Sequence, residues 1–274
     1  VIEAKSLVDI KASNIQNSGI IAKDVDLENA NHEKIKEIKL TAKETIKSVE
    51  SENYSINAEK ISIETTGLNA SIGGEVGDNS RINQAAFVFD ADEVNAKTNK
   101  GSIYLQDTNN GIRLGNVDTG VNIPKVNEVT GEIEADFLTA IITQSVNGAI
   151  YTNEQPEAIR RAFSIRLNSD KEIGEKNKSI TMDTSVISAI SRDGGIYLEN
   201  KKTNIDDAQS ALTLMEIKAN QKIKIDGNET TSGVMDQNGN LVLSNGNKGN
   251  KDISIGTDGD LVVTGVVSGT RDLA

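Results

Sequence analysis

No cysteine and no tryptophan occur among the 274 residues, proline occurs twice, histidine once, and aromatic side chains make up 3% of the chain. Each scarcity excludes something. Without cysteine there is no disulfide staple, thiolate metal site or thiol nucleophile, so stability must come from hydrogen-bonded ladders and packing. Four Phe and four Tyr in a chain that is 36% hydrophobic are too few large side chains to fill two compact cores, although the length would allow them. A solenoid needs less: a narrow column of Ile, Val, Leu and Ala in which each rung touches only its neighbours. No apolar run reaches the roughly 18 to 20 residues that span a bilayer, so no membrane insertion by this segment is expected. The chain starts Val1-Ile2-Glu3 with no Met, basic stretch or apolar stretch, and reads as a piece of a longer protein.

What is present is acidic and β-branched. The formal charge of −12, with Lys scattered among acids, argues against DNA or RNA as a partner, because binding a polyanion relies on clustered Lys and Arg. Low hydrophobicity with net charge also describes disordered chains. Short alternating runs of β-branched residues, with Pro confined to Pro124 and Pro156, argue instead for strands.

Those runs recur from end to end as in-out-in triplets: Val8-Asp9-Ile10, Val25-Asp26-Leu27, Ile61-Ser62-Ile63, Phe87-Val88-Phe89, Ile103-Tyr104-Leu105, Ile112-Arg113-Leu114, Ile180-Thr181-Met182 and Ile196-Tyr197-Leu198. Near the C-terminus Ile223-Lys224-Ile225, Leu241-Val242-Leu243 and Leu261-Val262-Val263 start at one coil length from one another, with Ile253-Ser254-Ile255 as a second face. Turns such as Asp226-Gly227-Asn228, Asn238-Gly239-Asn240, Asn245-Gly246-Asn247 and Asp258-Gly259-Asp260 separate them. The same turns would serve a hairpin meander. The recurrence at one coil length favours parallel coils, in which stacked identical positions allow Asn or Ile ladders. Gly101-Ser102-Ile103-Tyr104-Leu105-Gln106 and Gly194-Gly195-Ile196-Tyr197-Leu198-Glu199 are near copies and suggest internal duplication.

Two stretches break the pattern. Across 33–50, Ile35, Ile38, Ala42, Ile46 and Val49 sit at helical spacing while Ile38-Lys39-Leu40 reads as strand, so helix and strand both remain open. At 153–163, Pro156 followed by Glu157-Ala158-Ile159-Arg160-Arg161 predicts a short helix. The organisation expected is therefore β-helical rungs over 1–120, an irregular insertion looping out of the stack over 121–178, and β-helical rungs again over 179–274. An inserted loop is where a solenoid usually places specific recognition.

No chemistry announces itself. His32, flanked by Asn31, Glu33 and Lys34, reads as a solvated turn or helix start. No Gly-x-Ser-x-Gly elbow occurs, and Gly73-Gly74-Glu75-Val76-Gly77 lacks the Gly-Lys-Ser/Thr ending of a phosphate loop, so it reads as a turn between rungs. Asp226, Asp236, Asp258 and Asp260 are the nearest calcium candidates. None fits an EF-hand, and Gly256-Thr257-Asp258-Gly259-Asp260 lacks the double-glycine nonapeptide of calcium-binding repeats. Of the densest acidic clusters, Asp90-Ala91-Asp92-Glu93 and Asp206-Asp207, only the aspartates Asp90 and Asp92 share a strand face by alternation. No catalytic, cofactor-binding or metal-ligating residue is nominated, no cofactor is expected, and the chain reads as a non-enzyme.

The run from Val94 to Gly115, with Gly101-Ser102-Ile103-Tyr104-Leu105 and Asp107-Thr108-Asn109-Asn110-Gly111-Ile112-Arg113-Leu114, resembles the degenerate repeats of filamentous-haemagglutinin-type exoproteins and related large repetitive bacterial adhesins. The tail Gly259 to Gly269 resembles the same units. The resemblance implies an all-β, right-handed parallel β-helix, secretion to the cell surface or beyond, and adhesion, biofilm formation or contact-dependent delivery. It carries no catalytic residues. The function expected is a structural or adhesive shaft whose partner is a receptor or glycan on a host or neighbouring cell. A self-associating surface-layer or fibre subunit and a carbohydrate-active β-helix are the alternatives.

Overall fold

The computed structural model describes residues 6–17, 35–48, 56–74, 86–108, 111–121, 127–132, 138–155, 157–175, 177–201 and 212–219, together with the backbone of 223–225, 228–230, 234–235, 241–242, 253–257 and 261–268. None of these residues is helical. The strands are β1 (Leu7–Ala12), β2 (Ile15–Asn17), β3 (Ile35–Ala42), β4 (Ile46–Ser48), β5 (Ile56–Leu68), β6 (Phe87–Asn99), β7 (Ile103–Asp107) and β8 (Gly111–Asp118). They continue as β9 (Ala140–Ser145), β10 (Ala149–Thr152), β11 (Arg160–Arg161), β12 (Ser164–Ser169), β13 (Ile180–Asp183), β14 (Val186–Ser191), β15 (Ile196–Asn200) and β16 (Leu212–Ala219). The last are β17 (Ile223–Ile225), β18 (Asn228–Thr230), β19 (Val234–Met235), β20 (Leu241–Val242), β21 (Ile253–Thr257) and β22 (Leu261–Ser268). A sheet of ten parallel strands curls through 303° and nearly closes on itself. The fold is a parallel β-helix.

The interior is built from residues of one kind stacked coil on coil. Ile15, Ile46, Ile72, Ile103, Ile141, Ile165 and Ile187 occupy one column in parallel register, extended by Leu214 and then Val263. A second column runs Ile112, Ile150, Ile173, Ile196 and Ile253. All but Ile15 of the described isoleucine side chains in these columns are at most 1% exposed, and within each column the β-branched groups stack on identical groups in the next coil. At the two bends of the coil, inward hydroxyls satisfy the carbonyls that the turning chain would leave unpaired. Thr65, Thr98, Thr119 and Thr184 donate to the oxygens of Ala70, Gly101, Val121 and Val186. On the other side Ser169 and Ser191 donate to Gly148 and Gly194.

The segment 33–50, open between helix and strand, holds strands β3 and β4. Its helical spacing has a physical origin. In β3 the buried residues step from Ile35 to Ile38, in β5 from Ala58 to Ile61, and in β6 from Ala91 to Val94. These steps align in register, Ile35 with Ala58 with Ala91 and Ile38 with Ile61 with Val94. Each strand therefore turns a corner with two consecutive outward residues, and the corners stack.

Three expectations are corrected. The short helix after Pro156 is absent: Glu157 lies in a turn, and Arg160–Arg161 is a strand paired in parallel with β8 and β13. The segment 121–178 does not loop out as a whole. Strands β9, β10, β11 and β12 within it are stacked coil strands, and the Ile141, Ile165 and Ile187 positions are 24 and 22 residues apart, the tightest coils of the column. The long interval lies earlier, between Ile103 and Ile141, where 127–132 forms a turn closed by Asn127. Lastly, Ile223–Ile225 and Leu241–Val242 do not stack at one coil length under Leu261. They lie in antiparallel pairs, β17 with β18 and β19 with β20. Leu261 stacks instead on Leu212, and Ile253 on Ile196. The strands β17 to β20 pair as local hairpins, and the coil resumes at β21.

The near copies at Gly101 and Gly194 share a constraint rather than a position. A Cβ on Gly101 would overlap the backbone of Ala70, and one on Gly194 the backbone of Glu172, so each glycine admits the preceding coil at close range. The isoleucines that follow, Ile103 and Ile196, enter different columns. Val25-Asp26-Leu27 lies outside the described residues.

Candidate functional site: a polar groove on the outer flank

The outward positions of the flank formed by β3, β5, β6, β8 and β11 also stack. Glu37, Lys60, Glu93 and Arg113 form one column, and Glu64, Lys97, Asp118 and Arg161 another, which continues into the buried Asp183 of β13. Sign alternates along both. Lys60 approaches Glu93 at 3.3 Å, Lys97 approaches Glu64 at 3.6 Å, and Arg161 grips Asp118 through Nε at 2.8 Å and a terminal nitrogen at 2.6 Å. The Asp118 contact raises the Arg161 pKa. Surface pairs of this kind each contribute little, but a slip by one coil would set like charges about 4.8 Å apart, so the columns specify register. Lys97→Glu is expected to lower stability by about 1 kcal/mol at low ionic strength and by much less in molar salt. Urea unfolding at both salt concentrations measures this, and a loss independent of salt would contradict it.

Between these columns lies a groove of about 550 Å³, lined by the charged residues Lys39, Glu64, Lys97, Asp118, Glu157 and Arg161 and by Thr41, Ser62, Asn95 and Asn116. One wall is the arch 153–159, of which 153–155 and 157–159 are described. Backbone bonds tie the arch to β8, from the Asn153 amide to the Leu114 oxygen and from the Val117 amide to the Ile159 oxygen, and two side chains pin it further. Asn116 Oδ1 accepts from the Ile159 amide at 3.0 Å, and Asn116 is itself held where its own amide donates to Asn95 Oδ1 at 2.9 Å. The second pin is Arg160.

Arg160 is 1% exposed and occupies an inward column whose other members include Leu40, Ile63, Ala96, Val117 and Met182. Here the pairing of β8 passes from β10 to β11, and the intervening chain leaves the sheet. The guanidinium fills the gap, donating to the carbonyl oxygens of Leu114 and Ala158 and to Thr152 Oγ1. Burial lowers its pKa to about 10, which leaves it protonated at neutral pH. A buried cation held by neutral acceptors is costly, and its return is the fixed geometry of the arch. Sequence reasoning missed Arg160 because it placed Arg160-Arg161 on a helix. Read as a strand, adjacent arginines must point one in and one out.

A smaller cleft of about 270 Å³ lies against Gln144, Ser145, Asn168, Ser169, Asp170, Ile190 and Arg192, where Arg192 pairs with Asp170 at 2.9 Å. The residues weighed from sequence fall elsewhere. Asp90 is 8% exposed and accepts from Asn57 Nδ2, whereas Asp92, the first outward residue of the stacked corner, is exposed. Gly73 adopts φ 86 at a turn where its amide donates to the Ile46 oxygen. His32, Asp206, Asp207, Asp226, Asp236, Asp258 and Asp260 lie outside the described residues. Among the described residues no three His, Cys, Asp or Glu side chains gather where a metal could bind.

The chain matches no family model, no curated protein and no solved structure. The fold and this groove are therefore the grounds for assigning a role.

Proposed function

We propose that the chain is a non-catalytic shaft segment of a large secreted or surface-displayed bacterial protein, with adhesive recognition on its flank. The observation that carries this reading is the isoleucine column continuing through coil after coil. Such a core propagates length without building an enclosed chamber, and solenoids of this kind offer extended surfaces for binding. The resemblance of Val94 to Gly115 and of Gly259 to Gly269 to filamentous-haemagglutinin-type repeats agrees with it.

The carbohydrate-active alternative needs two carboxyl groups facing one bond, roughly 5 to 9.5 Å apart. In the groove Glu64 and Asp118 are two coils apart, about 10 Å by sheet spacing, with Lys97 between them and each engaged by a cation. That arrangement favours holding a ligand over cleaving it.

The test sets cleavage against adhesion. The purified chain is incubated with a panel of polysaccharides while new reducing ends and unsaturated products are measured, and in parallel with intact bacterial and epithelial cells whose bound protein is counted. Adhesion without cleavage is the expected result. Turnover of any polysaccharide, or no retention on any cell surface, overturns the proposal.

A further inference from the structure

The adhesive reading leaves the chemistry of the ligand open, and the groove beside the arch narrows it. Its charges balance, three cations against three anions. Glu64 with Lys97 and Asp118 with Arg161 are paired within it, and Lys39 is paired with Glu37 at 3.3 Å. With Lys39 engaged by Glu37, Glu157 is the one lining charge in no ion pair among the described residues, a single carboxylate that does not select an anionic ligand. A peptide adding as a strand needs a free sheet edge, yet the floor strands β3, β5 and β6 are in parallel ladders along their described length. Deep apolar sockets for side-chain anchors are also missing, because Leu40, Ile63 and Ala96 point into the core and only Ile159 offers a half-buried apolar face.

What the groove does present is fixed neutral hydrogen-bonding groups. The Asn95 amide is oriented by two bonds, donating to Glu93 and accepting from the Asn116 amide. Asn116, which lines the groove, commits its Oδ1 to Ile159 and keeps an Nδ2 with no protein acceptor among the described residues. Thr41 and Ser62 add hydroxyls on the same flank. The rows repeat every coil, about 4.8 Å, close to the length of one sugar unit in an extended β-linked chain, and from β3 to β11 they span about 19 Å.

We propose that this groove binds a neutral linear oligosaccharide of about four sugars lying along the coil axis, with Asn116 Nδ2 as a principal donor and Ile159 as the apolar face for a ring. The proposal rests on the adhesive reading. Preorganised amides and hydroxyls lose little entropy on binding and leave unpaired any ligand that lacks matching hydroxyls.

The test is calorimetric titration of the purified chain with tetrasaccharides of β-1,4-linked glucose, mannose and N-acetylglucosamine, a β-1,4-linked tetra-uronate, and an extended hydrophilic tetrapeptide. At least one neutral sugar is expected to bind. Asn116→Asp keeps the acceptor for Ile159 while removing the donor, and should weaken that binding about tenfold. Ser62→Tyr, which fills the outward floor, should abolish it, whereas Lys201→Ala, outside the groove, should not. Thermal unfolding establishes that all three variants stay folded. Binding of only the uronate or the peptide, binding indifferent to both groove variants, or no sugar binding at all overturns this inference. If the chain still adheres to cells in any of those cases, the adhesive shaft stands without it. If adhesion is also absent, both fall.

Discussion

Ile165→Ala is expected to destabilise the protein by about 3 to 4 kcal/mol, among the largest effects available to a single aliphatic truncation. Ile165 is 1% exposed and sits between Ile141 and Ile187 in the central column. Truncation removes three carbons from both contacts, and the neighbouring coils are held by their own ladders, so little collapse into the void is available. In a stack that touches only nearest neighbours, the loss should also weaken coupling between the halves on either side. Urea unfolding followed by circular dichroism should show a lower midpoint and a broader or two-step transition. A single transition shifted by less than about 1 kcal/mol would mean that the column is not the main source of stability.

Arg160→Ala is the second large effect, about 2 to 4 kcal/mol, and it differs in kind. The substitution empties an inward position and deprives Ala158 and Thr152 of a donor, while relieving the cost of a buried cation. Arg160→Met restores volume beside Val117 and Met182 without restoring the bonds, and should recover more than half of the global loss. In both variants the amides of the arch 153–159 should exchange with deuterium much faster than in the parent, because the arch loses its inner pin. Exchange that stays slow in the arch would show that Asn116 and the backbone bonds to Leu114 and Val117 hold it without Arg160.

Much of the fold was legible because it is written in local alternation. The triplets at Val8, Ile61, Phe87, Ile103, Ile112, Ile180 and Ile196 are all strands of the stack. Matching residues from different coils was harder. Similar spacing drew Ile223, Leu241 and Leu261 together, yet Leu261 pairs with Leu212, and the hairpins between them obey turn chemistry that a spacing argument does not weigh. A corner that puts two adjacent residues outward mimics helical periodicity, which is why Ile35 and Ile38 left 33–50 undecided. The groove was not legible at all. Its lining comes from five coils, and no two neighbouring residues of the sequence announce that Ser62, Asn95 and Asn116 share a flank. Within 121–178 the described strands β9 to β12 belong to the stack, and the arch 153–159 is a short described excursion from it.

The ladder bonds of a parallel β-helix run along its axis, so a pull on the two ends loads one coil at a time rather than the whole core. The coils from Ile141 to Ile165 and on to Ile187 take 24 and 22 residues, and releasing one pays out roughly 75 Å of chain while the coils beyond it stay wound. A tether built this way yields in steps and keeps its remaining length stiff, a property suited to a protein strung between two surfaces that move.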